Sequence, residues 1–157
     1  MADLYAATKA YLKADAALVT AVGSAAQIKD DDDVGPEGLK IEDLYGSTPR
    51  VSNTIYLNWS TQTPISRGPQ LAFGASSGEQ GVSVFLEVYF YQNKGYAAIE
   101  AMRKRVTKLL HQQRVSIDTD YLYNFIWRGD LLRQSDQALG GARMERTRFE
   151  GVYLRRF

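Results

Sequence analysis

Cysteine is absent from the 157 residues, which excludes a disulfide framework, a thiolate nucleophile and a cysteine-based zinc site. An excess of charge of either sign is also lacking. The formal net charge is +1, whereas a general nucleic-acid binder usually carries a clear basic excess. No segment approaches the ~20 apolar residues that span a bilayer. The stretch Met1–Lys9 has neither the basic nor the apolar region of a secretory signal, so a soluble protein made in the cytosol is expected, with no membrane partner. Glycine-rich phosphate loops are missing too. Gly74–Gly81 is flexible, but no lysine or helix start follows it.

What is present suits an ordinary globular chain, 45% hydrophobic and 24% charged. A protein of this size buries roughly 70% of the surface its unfolded chain exposes, so no metal or disulfide staple is needed. Leu4, Ala7, Tyr11 and Ala14 recur at helical spacing. Continued straight, that helix would place Asp15 on its apolar stripe, at about the azimuth of Leu4 given ~100° per residue. A break near Ala14 is therefore expected, with Asp15 as the N-cap of a short second helix carrying Leu18, Val19 and Val22 and stopped by Gly23.

Residues 24–51 change character, with the charge run Lys29–Asp33 and the turn-forming Val34–Gly38 and Gly46–Pro49. A long surface loop is expected there, with short strands near Ala26–Ile28 and Lys40–Ile41. Asn53–Ser60 alternates as a strand, and 61–80 is a second long loop, interrupted by Ile65, Leu71 and Phe73. Val82–Tyr91 carries the strongest strand pattern. Val82, Val84, Leu86, Val88 and Phe90 form one face, and Ser83, Phe85, Glu87, Tyr89 and Tyr91 the other. A half-exposed antiparallel strand alternates apolar with polar, so a second face this aromatic implies partial cover. After the turn Asn93–Gly95, Tyr96–Gln113 reads as a helix with the stripe Ile99, Met102, Val106, Leu109 and Leu110. Tyr121–Arg128, running on to Ser135, is a further strand with Tyr121, Tyr123, Phe125 and Trp127 on one face. Asp136–Gly141 is a turn, and Arg143–Phe157 a last strand in which Gly151 marks a bulge. The order predicts one α+β domain over 1–157, its mostly antiparallel sheet of about four main strands packed on the amphipathic and N-terminal helices.

The search for chemistry yields little. His111, the one histidine, falls away from the apolar stripe as a solvated side chain, with no nucleophile or orienting group supplied nearby. Asp30, Asp31, Asp32 and Asp33 could in principle hold a hard cation and support hydrolysis, but they lack the EF-hand spacing and repel one another. A solvated, mobile loop is the better reading, with a contact to a basic patch on a partner as the intermediate one. No catalytic, metal or cofactor site is expected. Basic residues at Arg103–Lys108 and Arg143–Arg156 are interleaved with aromatics, as in single-strand binders, yet arginine is equally at home on exposed strands and at protein interfaces. Arg103 lies about 40° from Ile99 on the helical wheel, so it either snorkels or makes an ion pair at a contact.

The aromatics carry more weight. Tyr56, Trp59, Phe85, Tyr89, Tyr91, Tyr121, Tyr123, Phe125, Trp127 and Tyr153 all fall on expected strands. One helix layer covers one sheet face, and Tyr and Trp are favoured at interfaces. The candidate subunit interface is thus Phe85, Glu87, Tyr89 and Tyr91 with Arg103, Arg146 and Arg148. A small-ligand module built on exposed aromatics, for instance for carbohydrate, is the competing class.

Taken together, Tyr11–Gly23, the acidic loop, Thr48–Leu57, Gly81–Tyr91, Tyr96–Leu110 and Thr147–Leu154 resemble phage tail terminator (tail completion) proteins of long-tailed bacteriophages. The resemblance spans nearly the whole chain as patterns of residue class. It implies a small α+β virion subunit forming a ring with copies of itself, commonly a hexamer. Such a ring caps the tail tube, stops its growth and faces the head-completion or connector protein, with its opening a path for DNA. The implied location is the virion neck or tail, after assembly in the host cytoplasm. The long 61–80 loop and the basic C-terminus depart from the pattern, which leaves another neck or tail-tube position open.

Overall fold

The computed structural model describes residues 4–61, 63–64, 79–118 and 121–156; the side chains of 64, 79–80, 116–118, 121–123 and 153–156 lie outside that description. The loop apolars Ile65, Leu71 and Phe73 and the side chains of Tyr121, Tyr123 and Tyr153 therefore fall outside the described residues.

The helical start divides as its capping chemistry dictates. Helix α1, Leu4–Lys13, gives way to α2, Ala16–Val22. The Asp15 carboxylate accepts the Leu18 amide at 2.8 Å, and Gly23 closes α2 in the left-handed region at φ 96°. The buried stripe of α1 is Leu4, Thr8 and Leu12 rather than Leu4, Ala7, Tyr11 and Ala14. Leucine offers more apolar area than alanine, and Thr8 is buried at little cost because its hydroxyl donates to the Leu4 carbonyl at 2.9 Å. Tyr11 stands at the rim, donating to the Leu109 carbonyl at 2.8 Å.

Among the described residues seven strands, rather than about four main ones, form one sheet. They are β1 (Ile28–Lys29), β2 (Thr54–Trp59), β3 (Thr63–Pro64), β4 (Glu79–Gln92), β5 (Arg114–Asp118), β6 (Tyr121–Asp136) and β7 (Ala142–Arg156). The order is β1-β2-β4-β7-β6-β5, with β3 on the start of β4. All described pairings are antiparallel except β1 with β2. The additional strands, β1, β3 and β5, are two, two and five residues long. Segments that short carry too few alternations to register as strands by period. Where strands near Ala26–Ile28 and Lys40–Ile41 were expected, 3₁₀ turns occupy Ala25–Gln27 and Ile41–Leu44, and only Ile28 belongs to a strand.

Helix α3, Ala97–Leu110, lies on the sheet and buries Ile99, Met102, Val106 and Leu110, with Leu109 partly covered. It ends three residues before the expected Gln113, because Gln112 takes φ 57° and donates its amide to the Phe125 carbonyl of β6. The three helices share one face of the sheet. There Val82, Val84, Leu86, Val88 and Phe90 of β4 join Phe125, Phe149 and the helix stripes in a continuous core. Gly151 marks no bulge; it pairs in register with Val84 and Phe125. The irregularities sit in β6, where one extra residue lies between Trp127 and Gly129 and another between Leu131 and Gln134, opposite β7. No helix among the described residues is long and apolar enough to cross a membrane.

Candidate subunit interface

The period of two that points Val82, Val84 and Leu86 at the helices turns Phe85, Glu87, Tyr89 and Tyr91 to the opposite face. Strand register sets Glu150, Arg148, Arg146 and Met144 of β7 beside them in that order. Five of the expected contact residues come together here. The Arg148 guanidinium lies over the Phe85 ring at 4.0 Å. Glu87 accepts the Tyr89 hydroxyl at 2.9 Å and faces Arg146 at 3.7 Å. Burial, reinforced by the bond to Glu87, pushes the Tyr89 hydroxyl above its ordinary pKa. Phe85, Glu87, Tyr89 and Arg146 are half-buried and Arg148 is exposed, so the patch is prepaired and still accessible.

Two expected contact residues are placed elsewhere. Tyr91 is only 3% exposed, covered by the chain's own Leu44, Leu139 and Ala142 in a second apolar cluster on this face. The cover inferred for the aromatic face thus comes, at this end, from the 24–51 segment and the β6–β7 turn. Arg103 lies under α3 on the helix side. Its Nε donates to Glu145 at 3.0 Å and its Nη1 to Asp130 at 3.1 Å, so it makes an ion pair, but an internal one. Asp130 also accepts from Thr147 at 2.7 Å and Trp127 Nε1 at 3.0 Å, and Glu145 from the Arg133 amide at 3.2 Å. Buried charge held this way keeps every carboxylate bonded.

The aspartate run is more structured than a solvated loop. Asp30 and Asp33 form a reciprocal capping box around the 3₁₀ turn Asp31–Asp33, and Lys9 bridges both carboxylates at 2.9 and 3.0 Å. Asp30 is buried, and desolvation outweighs Lys9 to hold its carboxyl above the ordinary value. At Asp33 burial pushes upward, but the Lys9 hydrogen bond overcomes it and the pKa falls. Burial likewise opposes Lys9, whose bonds to the two carboxylates nonetheless raise it. Asp31 accepts the Tyr56 hydroxyl and, like Asp32, stays exposed. Tyr5, Asp30–Asp32, Trp59, Ser60 and Thr61 line a cleft of about 240 Å³, smaller than the roughly 300–1,000 Å³ of small-molecule sites. No group of three or more His, Cys, Asp or Glu able to hold a metal occurs among the described residues.

His111 caps the end of α3, and its Nδ1 accepts the Trp127 amide at 3.0 Å, so it ties the helix to β6 rather than standing free in solvent. The exposed apolar side chains of β6, Trp127 at 42%, Leu131 at 38% and Leu132 at 48%, formed no part of the expected interface. Their signal was local. Consecutive residues of a strand point to opposite faces, so Leu131 and Leu132 cannot both turn to one core.

No family model and no curated protein matches the chain. Among solved structures, a chain from the "virion of native gene transfer agent (GTA) particle" matches with a TM-score of 0.65 at 16% identity, over 97% of this chain and 95% of that one. The likeness runs nearly end to end and shows a shared fold.

Proposed function

We propose that the chain is a structural virion protein that forms a ring at the neck or end of a phage-like tail, in the role of a tail terminator. The carrying observation is the near end-to-end fold likeness to a chain from a virion particle. A ring subunit needs surfaces for its own copies. The patch of Phe85, Glu87, Tyr89, Arg146 and Arg148, half-covered and prepaired in charge, suits a wet protein–protein contact. The proposed partners are further copies of the chain, six in a closed ring, with the tail tube protein on one side and the head-completion or connector protein on the other. For the competing ligand-binding class, the cleft of about 240 Å³ is small for a carbohydrate.

Native mass spectrometry of the purified protein, alone and with tail tubes, tests the proposal. A defined oligomer, or one formed on addition of tubes, is expected, and electron microscopy of tubes capped at one end would support the terminator role. A strictly monomeric protein indifferent to tubes and neck proteins would overturn it. A ring that binds along or within the tube rather than at its end would move the chain to another tail position.

A further inference from the structure

Strand β6 has two edges. One pairs with β7 through most of its length, whereas the other pairs with β5 only as far as Asn124. Beyond the His111–Phe125 bridge, no strand among the described residues pairs with that outer edge over 126–136, although the ends of α3 bond it at two points, His111 accepting the Trp127 amide and the Tyr96 hydroxyl donating to the Gln134 carbonyl. Trp127, Leu131 and Leu132, all exposed, sit on this stretch. Free edges are ordinarily blunted by charge or bulges. Here two bulges interrupt the backbone line, which disfavours a simple added strand, yet they leave large apolar side chains turned outward. That combination suits docking through side chains.

The opposite end of the sheet complements it. Residues 30–43, which follow edge strand β1, hold seven acids against one lysine. Of these, Asp31 and Asp32 are exposed beside the cleft floored by Tyr5 and Trp59. The β6 end carries exposed Arg128, Arg133 and Arg143, Arg128 pairing with Glu150 at 3.2 Å, while Asp130 and Glu145 are bonded to Arg103. Exposed charges of opposite sign therefore stand at the two places. Asp31, bonded to Tyr56 of β2, stands three strands from β6 in the order β2-β4-β7-β6, and no ion pair joins it to a β6 arginine among the described residues. Head-to-tail association between copies can bring the two together.

We propose that the free edge of β6 in one copy docks on the acidic β1 edge of the next, Leu131 and Leu132 supplying the apolar contact and Arg128 and Arg133 facing Asp31 and Asp32. Because the inference rests on the ring reading, its test separates the two. Leu131→Asp/Leu132→Asp and Asp31→Arg/Asp32→Arg are compared with wild type by native mass spectrometry, with thermal melts to establish folding. Each variant alone is expected to be monomeric. Mixed, they retain one sound edge each and are expected to form a species of twice the 17.6 kDa chain mass. A wild-type oligomer that survives either variant would overturn the edge junction and leave the ring intact, whereas a wild type monomeric under every condition would overturn both. Because the chain has no cysteine, Asp32→Cys/Leu132→Cys provides a second measurement independent of variant folding defects. Mild oxidation should give a ladder of covalent multimers from the double variant and none from either single one. Absence of the ladder in a protein that still forms rings would overturn the junction.

Discussion

Replacing Arg103 by methionine tests whether this residue belongs to the interior or to a subunit contact. Methionine keeps a long apolar stem and removes the guanidinium. Asp130 would retain its donors from Thr147 and Trp127, but Glu145, with a side chain only 4% exposed, would keep the Arg133 amide alone. Removing one partner of a buried pair costs about 3–5 kcal/mol, chiefly because the remaining charge stays buried. With one amide bond left to Glu145, the lower end applies, about 3 kcal/mol. For a chain of this size that corresponds to a fall in Tm of about 6–12 °C. Urea unfolding, followed by tryptophan fluorescence at concentrations where any oligomer has dissociated, measures the loss directly. Arg103→Met/Glu145→Met removes the stranded charge and should recover most of the stability. A loss below about 1 kcal/mol in the single variant, or strict additivity in the double, would refute the internal network. Dissociation of an oligomer with chain stability unchanged would return Arg103 to a subunit contact.

Three further outcomes are expected. Asp15→Asn weakens the cap of α2 and its two bonds to Arg105 at 2.8 and 2.6 Å. Because the Arg105 hydrogen bond, helped by the Leu18 amide, holds the Asp15 pKa below its ordinary value, this stabilisation is present above about pH 4 and is lost as pH falls through the depressed pKa. The wild-type and variant melting curves should therefore converge in acid. Lys9→Met leaves Asp30 buried without its cation, and the loss of about 1–3 kcal/mol should shrink as the pH falls through the raised pKa of Asp30. There the proton that burial already favours at Asp30 removes the charge, which differential scanning calorimetry at pH 4.5 and 7.5 would reveal. Gly140→Ala forces a side chain into the left-handed region at φ 68° and against Ile41 Cδ1 at 2.5 Å. A cost of about 1–2 kcal/mol in chemical denaturation is expected.

The elements legible in the sequence are those whose information is local. Strand β4 and helix α3 declare themselves through periods of 2 and 3.6, and Asp15 and Gly23 mark a helix break through capping chemistry that acts over a few residues. Strand β1 was legible only roughly, as a short strand expected near Ala26–Ile28, because two residues hold no period and the parallel pairing with β2 joins Ile28 to Ile55 across the sheet. At the candidate interface, the facing of Phe85, Glu87 and Tyr89 followed from alternation alone. That Tyr91 is covered by Leu44 and Leu139 did not follow, since both come from distant turns. Arg103 at the rim of its helix was legible; its partners Glu145 and Asp130, on strands that follow much later, were not. The aspartate run hid a capping box in its own spacing, whereas Lys9 comes from a helix 21 residues earlier.

The order of the sheet has a consequence for shape. Neighbouring strands are rotated by roughly 20–25° against each other, and five such steps separate β1 from β5. The outer edges are thus turned by about 100° relative to one another, and the two bulges of β6 sharpen the local twist. Copies joined edge to edge cannot lie in a flat, straight ribbon, because each junction carries the next sheet round. An assembly built that way would close into a ring when that rotation divides the circle and wind into a helix when it does not. In the proposed ring the number of copies would then follow from that angle, and adding or removing a single bulge residue in β6 would be expected to change it.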